Sequence, residues 1–278
     1  MDYRIIGDSC TDLPKELKED THFRLVPLTL IIDEEEIRDD ETFDIKKFIK
    51  MMKDSPNSPK SACPSPDDYM KEFDFDGDIY VVTLSAKLSG SYNSAELARR
   101  LYLEENPHKN IAVIDSRSAS VGQTLISLEI RKNIESGLSF DQVMEKVNKF
   151  RDGMKTSFVL ESLENLRKNG RLSGLQAFII NTLNIKLVMG ATPEGTIYRL
   201  DQARGIIRAL GAMAKHIEHD VIRPQERILT IAHCNCYERA VYIKDEILKK
   251  VPFKEFLIVE TAGVSTLYAN DGGIIVAY

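Results

Sequence analysis

The chain has 278 residues, 43% of them hydrophobic and 29% charged, with a formal net charge of -6. That length buries a core without disulfide or metal staples. The acidic balance excludes a broad nucleic-acid surface, which depends on Lys and Arg neutralising phosphates. The cysteines Cys10, Cys63, Cys234 and Cys236 form neither a secreted disulfide framework nor a C-x-x-C pair. The opening MDYRIIGDSC has no basic or apolar signal-peptide region, and the longest apolar run is far below a membrane span. Free thiols in a reducing cytoplasm are therefore expected.

In chain order, Tyr3–Gly7 reads as a strand, followed by a polar turn and a helix opening at Pro14, where a missing N–H costs nothing. Phe23–Ile32 reads as one strand, and the acidic Asp33–Glu36 and Asp39–Glu41 as solvated stretches flanking a small edge hairpin. A helix over Asp44–Lys53 leads into the loop DSPNSPKSACPSP, stiffened by its prolines. Ser65 caps the next helix. Asp78–Leu84 and Asn110–Asp115 are strands, alternating with helices over Asn93–Glu104 and Ser120–Ser136. Ser139 and Gln142 form a capping box that opens a further helix. After Gly153 the alternation resumes: a strand at Thr156–Leu160, helices at Ser162–Asn169 and Ser173–Leu183, and strands at Ile185–Met189 and Thr196–Leu200 around a Glu194-Gly195 turn. Helix, strand, helix, strand then follow over Ala203–Glu218, Arg227–Ala232, Tyr237–Lys250 and Phe256–Glu260, before a last strand at Gly273–Ala277. Repeated strand–helix–strand units predict an α/β fold with mostly parallel sheets covered by helices. The boundary falls near Arg151–Lys155 and gives two α/β domains, residues 1–153 and 154–278.

Three strands end in small polar groups: Gly7-Asp8-Ser9, Thr83-Leu84-Ser85 running on to Ser89-Gly90-Ser91, and Asp115-Ser116-Arg117-Ser118. If those strands are parallel neighbours, their carboxyl ends share one rim, the usual place for a ligand. The rim then carries hydroxyls and backbone amides suited to a carboxylate or phosphate. The same serines also serve as caps and turn formers, and Ser65, Ser94 and Ser139 read as only that. Gly90 permits close backbone approach.

A nucleophilic Ser89 lacks the G-x-S-x-G elbow and a base tied to it in the sequence. His216 and His219 share a helical face and read as a charged helix end, not a metal pair. No Walker A or G-x-G-x-x-G sequence provides a nucleotide cradle, and no metal or cofactor is expected. Two basic groups, Arg167 to Arg171 and Arg199, Arg204 and Arg208, read either as helix-end cations or as a patch for phosphates or an acidic partner. The run SGLQAFIINTLNIKLVMG reads as a buried helix or as the lining of an apolar cavity.

Five stretches together resemble the DegV family of bacterial proteins: DSCTDLP, SACPSP, LSGSYNSA, DSRSASVGQ and LENLRKNGRLSG. The resemblance runs over nearly the whole chain. It implies a two-domain α/β protein that binds one long-chain fatty acid and is not itself an enzyme. Its partner is then a separate kinase subunit, which converts the presented carboxylate to an acyl phosphate for phospholipid synthesis. Transient membrane contact is compatible with that role. By resemblance, Ser61, Ser89 and Gly90 hold the carboxylate, Ser120 and Tyr268 are further candidate ligand contacts, and Arg171 and Arg204 face the partner. The chain departs from the family pattern at Ser61-Ala62, where Thr-Ser is usual, and at Tyr268, the nearest counterpart of a family histidine. The alternatives are a storage or transport module with no kinase, and a stand-alone serine hydrolase or acyltransferase. Burying about 14 methylenes gives about 11 kcal/mol gross, so the tail dominates affinity while Ser61 and Ser89 set orientation.

Overall fold

The computed structural model describes residues 2–172 and 184–278. The helix expected over Ser173–Leu183 lies outside the described residues. In chain order the elements are β1 (Tyr3–Asp8), α1 (Lys15–Lys18), β2 (Phe23–Val26), β3 (Thr29–Ile32), β4 (Glu35–Arg38), α2 (Ile45–Asp54), β5 (Lys60–Ala62), α3 (Pro66–Phe73), β6 (Asp78–Thr83), α4 (Ser91–Glu105), β7 (Ile111–Asp115), α5 (Val121–Glu135) and α6 (Phe140–Gly153). There follow β8 (Thr156–Val159), α7 (Glu164–Lys168), β9 (Ile185–Ala191), β10 (Ile197–Arg204), α8 (Ile206–Asp220), β11 (Ile228–His233), α9 (Tyr237–Leu248), β12 (Glu255–Glu260), α10 (Gly263–Ala269) and β13 (Ile274–Ala277).

The first sheet has the order β2-β1-β6-β7 and every pair in it is parallel. Its strands are buried on both faces, as parallel strands between helices must be. Ile5, Tyr80 and Ile114 pack with Ile126 and Ile130 of α5, whereas Ile6, Ile79 and Val81 pack with Tyr69 and Phe73 of α3. Asp8, Thr83 and Asp115 therefore end neighbouring strands on one rim, as the sequence pattern required.

The second sheet, β10-β9-β8-β13-β11-β12, corrects the expectation of mostly parallel pairing. Only β11 and β12 run parallel; the other neighbours are antiparallel. Two of the four antiparallel pairs come from β13, the last strand, which inserts between β8 and β11 and runs against both; the other two join β8 to β9 and β9 to β10. The α/β class holds. Helix α5 is apolar on more than one face because both sheets use it: Val121 and Leu125 meet Ala232, Val259 and Ala277.

Two local differences bear on the site. The single strand expected over Phe23–Ile32 is two, β2 and β3, broken around Pro27, which has no N–H for a ladder. β3 leaves the first sheet and builds a small antiparallel one, β4-β3-β5. Its third strand lies inside the proline-rich loop, pairing Ser61 with Leu30. The other difference is β10, which runs on to Arg204, so α8 starts later than expected, after Gly205 at φ +84°.

Candidate functional site

A cavity of about 350 Å³ opens where the rim of the first sheet meets the second sheet and α10. Leu28, Leu84, Leu88, Phe158, Leu160 and Ile275 are among the side chains that make it chiefly apolar. Ser61, Ser89, Gly90, Ser120, Arg171 and Tyr268 all line it, so six of the seven residues singled out in the sequence meet in one place. Arg204 does not; it stands exposed at the end of β10.

Their polar ends are tied together. The Ser61 hydroxyl, carried by β5, lies 3.1 Å from Tyr268 Oη on α10. The Arg171 guanidinium sits 5.9 Å above the Tyr268 ring, and its Nε donates to the Leu88 carbonyl at 3.1 Å. Arg171 thus bridges the α10 aromatic and the loop that carries Ser89. Ser89 Oγ lies 3.0 Å from Ser91 Oγ and accepts from the Ser91 amide at 3.2 Å. Gly90 has ordinary helical φ, so left-handed freedom does not explain it. A Cβ there would come within 2.9 Å of Cys63 Sγ, and its absence lets the proline-rich loop close against α4. Ser120 differs from the others: its hydroxyl donates to Asp12 Oδ2 at 2.5 Å, so it is engaged in the wall.

Helix α10 carries no cap of its own, and distant carboxylates supply one. Asp12 Oδ1 accepts from the Ala262 amide at 2.7 Å, while Asp39 accepts from Gly263 and Val264 at 2.6 and 2.9 Å. Carboxylates satisfy helix-start amides and the positive end of the dipole. A Cβ at position 263 would lie 2.6 Å from Asp39 Oδ1, so only glycine admits this contact. Burial pushes Asp12 and Asp39 each up to about 6 despite these hydrogen bonds. Asp8 is also buried and raised by burial; it accepts from Gln123 Nε2 at 2.8 Å and the Leu84 amide at 2.7 Å. These carboxylates anchor the two cavity walls that bear Tyr268 and Ser89.

No histidine lines the cavity among the described residues. Among the described residues Ser89 is hydrogen-bonded to Ser91 and not to a base. His233, the one histidine at a strand end, has Nδ1 3.3 Å from the Cys236 amide, and burial lowers its pKa. Ser65 and Ser139 cap helices as expected, each within a capping box. Ser94 does not cap; its hydroxyl donates to the Pro64 carbonyl at 2.6 Å and holds the proline-rich loop to α4. Arg117 and Ser118, read from the sequence as part of the Asp115–Ser118 rim, also lie on the cavity wall, as do Thr156 and Ser265, which sequence reasoning missed because they carried no local signal.

The model of the family described as "Uncharacterised protein, DegV family" matches residues 2–278. A DegV domain-containing protein of Streptococcus gordonii is 37% identical over 281 residues, which cover 100% of this chain and 99% of that protein. Among solved structures, a DegV family protein of Ruminococcus gnavus with vaccenic acid superposes with a TM-score of 0.97 at 45% identity, covering 99% of each chain. The Streptococcus pneumoniae Fatty Acid Kinase (Fak) B3 protein loaded with linoleic acid gives 0.92 at 34% identity, covering 100% of this chain and 99% of that one. The similarity therefore reaches from the first strand to the last, including every loop that meets at the cavity, and the chain belongs to the DegV family.

Proposed function

We propose that this protein binds one long-chain fatty acid in the cavity and presents its carboxylate to a separate kinase subunit for acyl phosphate formation. The carrying observation is the cavity itself: an apolar space with Ser61, Ser89, Gly90, Tyr268 and Arg171 as its convergent polar groups. Such a lining suits an alkyl chain with one anionic head. The fatty acids in the R. gnavus and S. pneumoniae relatives support the same ligand class. On this reading residues 1–153 supply the head-group loops, and 154–278 supply further lipid-pocket walls and a basic partner-facing surface that includes Arg204. The protein is then a substrate-presenting subunit and not a catalyst, working in the cytoplasm, with no cofactor of its own.

One observation favours a second reading, a carrier without a kinase: Tyr268, which stands nearest the histidine of the family pattern, is engaged with Ser61. The two are separated by mixing the oleate-loaded protein with ATP and each candidate kinase subunit of the source organism. Acyl phosphate that requires this protein supports presentation. Its absence with every candidate leaves the carrier reading.

A further inference from the structure

β8 turns one face to the cavity, and that face changes character along its length. Alternate residues of a strand share a face, and Thr156, Phe158 and Leu160 all line the cavity. Leu160 packs with Leu166 and Ala269 beside Tyr268, so it marks the head-group end. Four residues of extended backbone, at about 3.3 Å each, put Thr156 roughly 13 Å farther along. There its Oγ1 lies 2.7 Å from Ser118 Oγ, and Ser118 lines the cavity too. The pair sits over Gly122 of α5, where a Cβ would collide with Ser118 Oγ and lie 3.2 Å from Thr156 Oγ1. Nearby polar groups of the wall are engaged elsewhere. Ser120 donates to Asp12, Ser265 Oγ lies 3.7 Å from Cys10 Sγ, and Arg117 Nη1 donates to Asp152 Oδ1 at 3.1 Å.

Resting on the fatty-acid reading, we infer that the cavity takes long-chain fatty acids bearing a hydroxyl in the half of the chain remote from the carboxylate, and that Ser118 and Thr156 receive that hydroxyl. Each of the two side chains has one proton and two lone pairs. One proton fills the 2.7 Å link between them. When Thr156 supplies it, the Ser118 proton turns to the Ala119 carbonyl at 3.4 Å. When Ser118 supplies it, the Thr156 proton is left to donate. Both arrangements leave lone pairs unused, so a chain hydroxyl finds an acceptor in either and a donor in the second. A plain chain leaves the pair in the first arrangement, with both protons used. The site therefore admits the plain acid without orphaning a donor, and it compensates the hydroxylated acid for the water it loses. A wholly apolar wall would strip that water and return nothing.

The test is a competition read by native mass spectrometry, which separates the two ligands by mass. The whole delipidated protein is offered equal amounts of oleate and ricinoleate, which differ by a single hydroxyl on the distal half of the chain. Wild type should take up the two in comparable amounts. Thr156→Val together with Ser118→Ala removes both hydroxyls, and the ricinoleate-to-oleate ratio should fall about tenfold. Either change alone should lower the ratio by less, and serves where the double variant fails to fold. Thr156→Ser alters the packing but keeps the hydroxyl, and should keep the wild-type ratio. A wild type that already favours oleate tenfold, or a ratio that neither the double variant nor the single ones lower, overturns the inference and leaves the fatty-acid reading standing. Protein that takes up neither acid overturns both.

Discussion

Helix α10 is held by two buried carboxylates that burial pushes up to about 6 from an ordinary 3.8, and this makes stability depend on pH in an unusual direction. A group whose folded pKa is raised contributes stability fully present below its unfolded pKa and lost as pH rises through its folded pKa. For Asp12 and Asp39 the window is therefore 3.8 to about 6, with stability rising as pH falls. Going from about pH 7.5 to about pH 5, each group adds about 1.4 kcal/mol. Groups with lowered pKa, such as Asp20, Asp68 and Glu161, act the other way, so the wild-type curve alone does not isolate the effect. Asp39→Asn does. The amide cannot titrate and has one acceptor oxygen where Asp39 uses two, giving a loss that is the same at every pH. On top of that constant, the advantage of wild type over variant should grow by about 1.4 kcal/mol between about pH 7.5 and about pH 5. The Coulombic push of Asp39 on Asp12 adds to it. Urea unfolding at both pH values, with the slope checked for constancy, measures this. A difference that stays flat, or that shrinks toward acid, would refute the account of a carboxylate buried without a cation.

Ala119 lines the cavity, and Ala119→Trp should fill it: fatty acid content by mass spectrometry falls to near zero, at a stability cost of about 1–3 kcal/mol. Ser65→Ala removes a helix cap and should cost about 1 kcal/mol in urea while leaving lipid content as it was. In Ser89→Ala the protein should retain lipid but hold its head group less firmly, seen as broadening of a carboxyl carbon-13 NMR signal; complete loss of lipid would contradict the dominance of the tail. Gly195 has φ +86°, and a Cβ there would meet Ser85 Oγ at 2.3 Å and Arg117 Cα at 2.8 Å. Gly195→Val should thus displace the β9–β10 turn from the cavity wall and lower stability by about 1–3 kcal/mol, read by thermal unfolding.

The first sheet was legible because its strands are continuous apolar runs with helices between them, and their polar ends fall on one rim for geometric reasons alone. Ser89 and Gly90 stood out as part of the hydroxyl-rich rim, and family resemblance gave them and Ser61 a role and added Tyr268; that Tyr268 and Arg171 meet this rim was not visible in the sequence. The second sheet misled because parallel pairing was inferred from alternation, while β13 takes its place by contacts across more than a hundred residues. Helix α10 was missed for a related reason. Its amides are capped by Asp12 and Asp39, 250 and 224 residues away in sequence, so the segment itself carries no start signal. Strand β5 was hidden by the prolines around it, since three residues paired to β3 leave no periodicity to read. The part of Ser94 was misread because a cap and a tie to Pro64 look identical in sequence.

The central claim is that the cavity holds one long-chain fatty acid by its alkyl chain. Native mass spectrometry of the gently purified protein tests it most directly. The account predicts a population heavier than the bare chain by the mass of one long-chain fatty acid, lost in Ala119→Trp. Protein that carries no lipid, and takes up none when offered oleate, would contradict it.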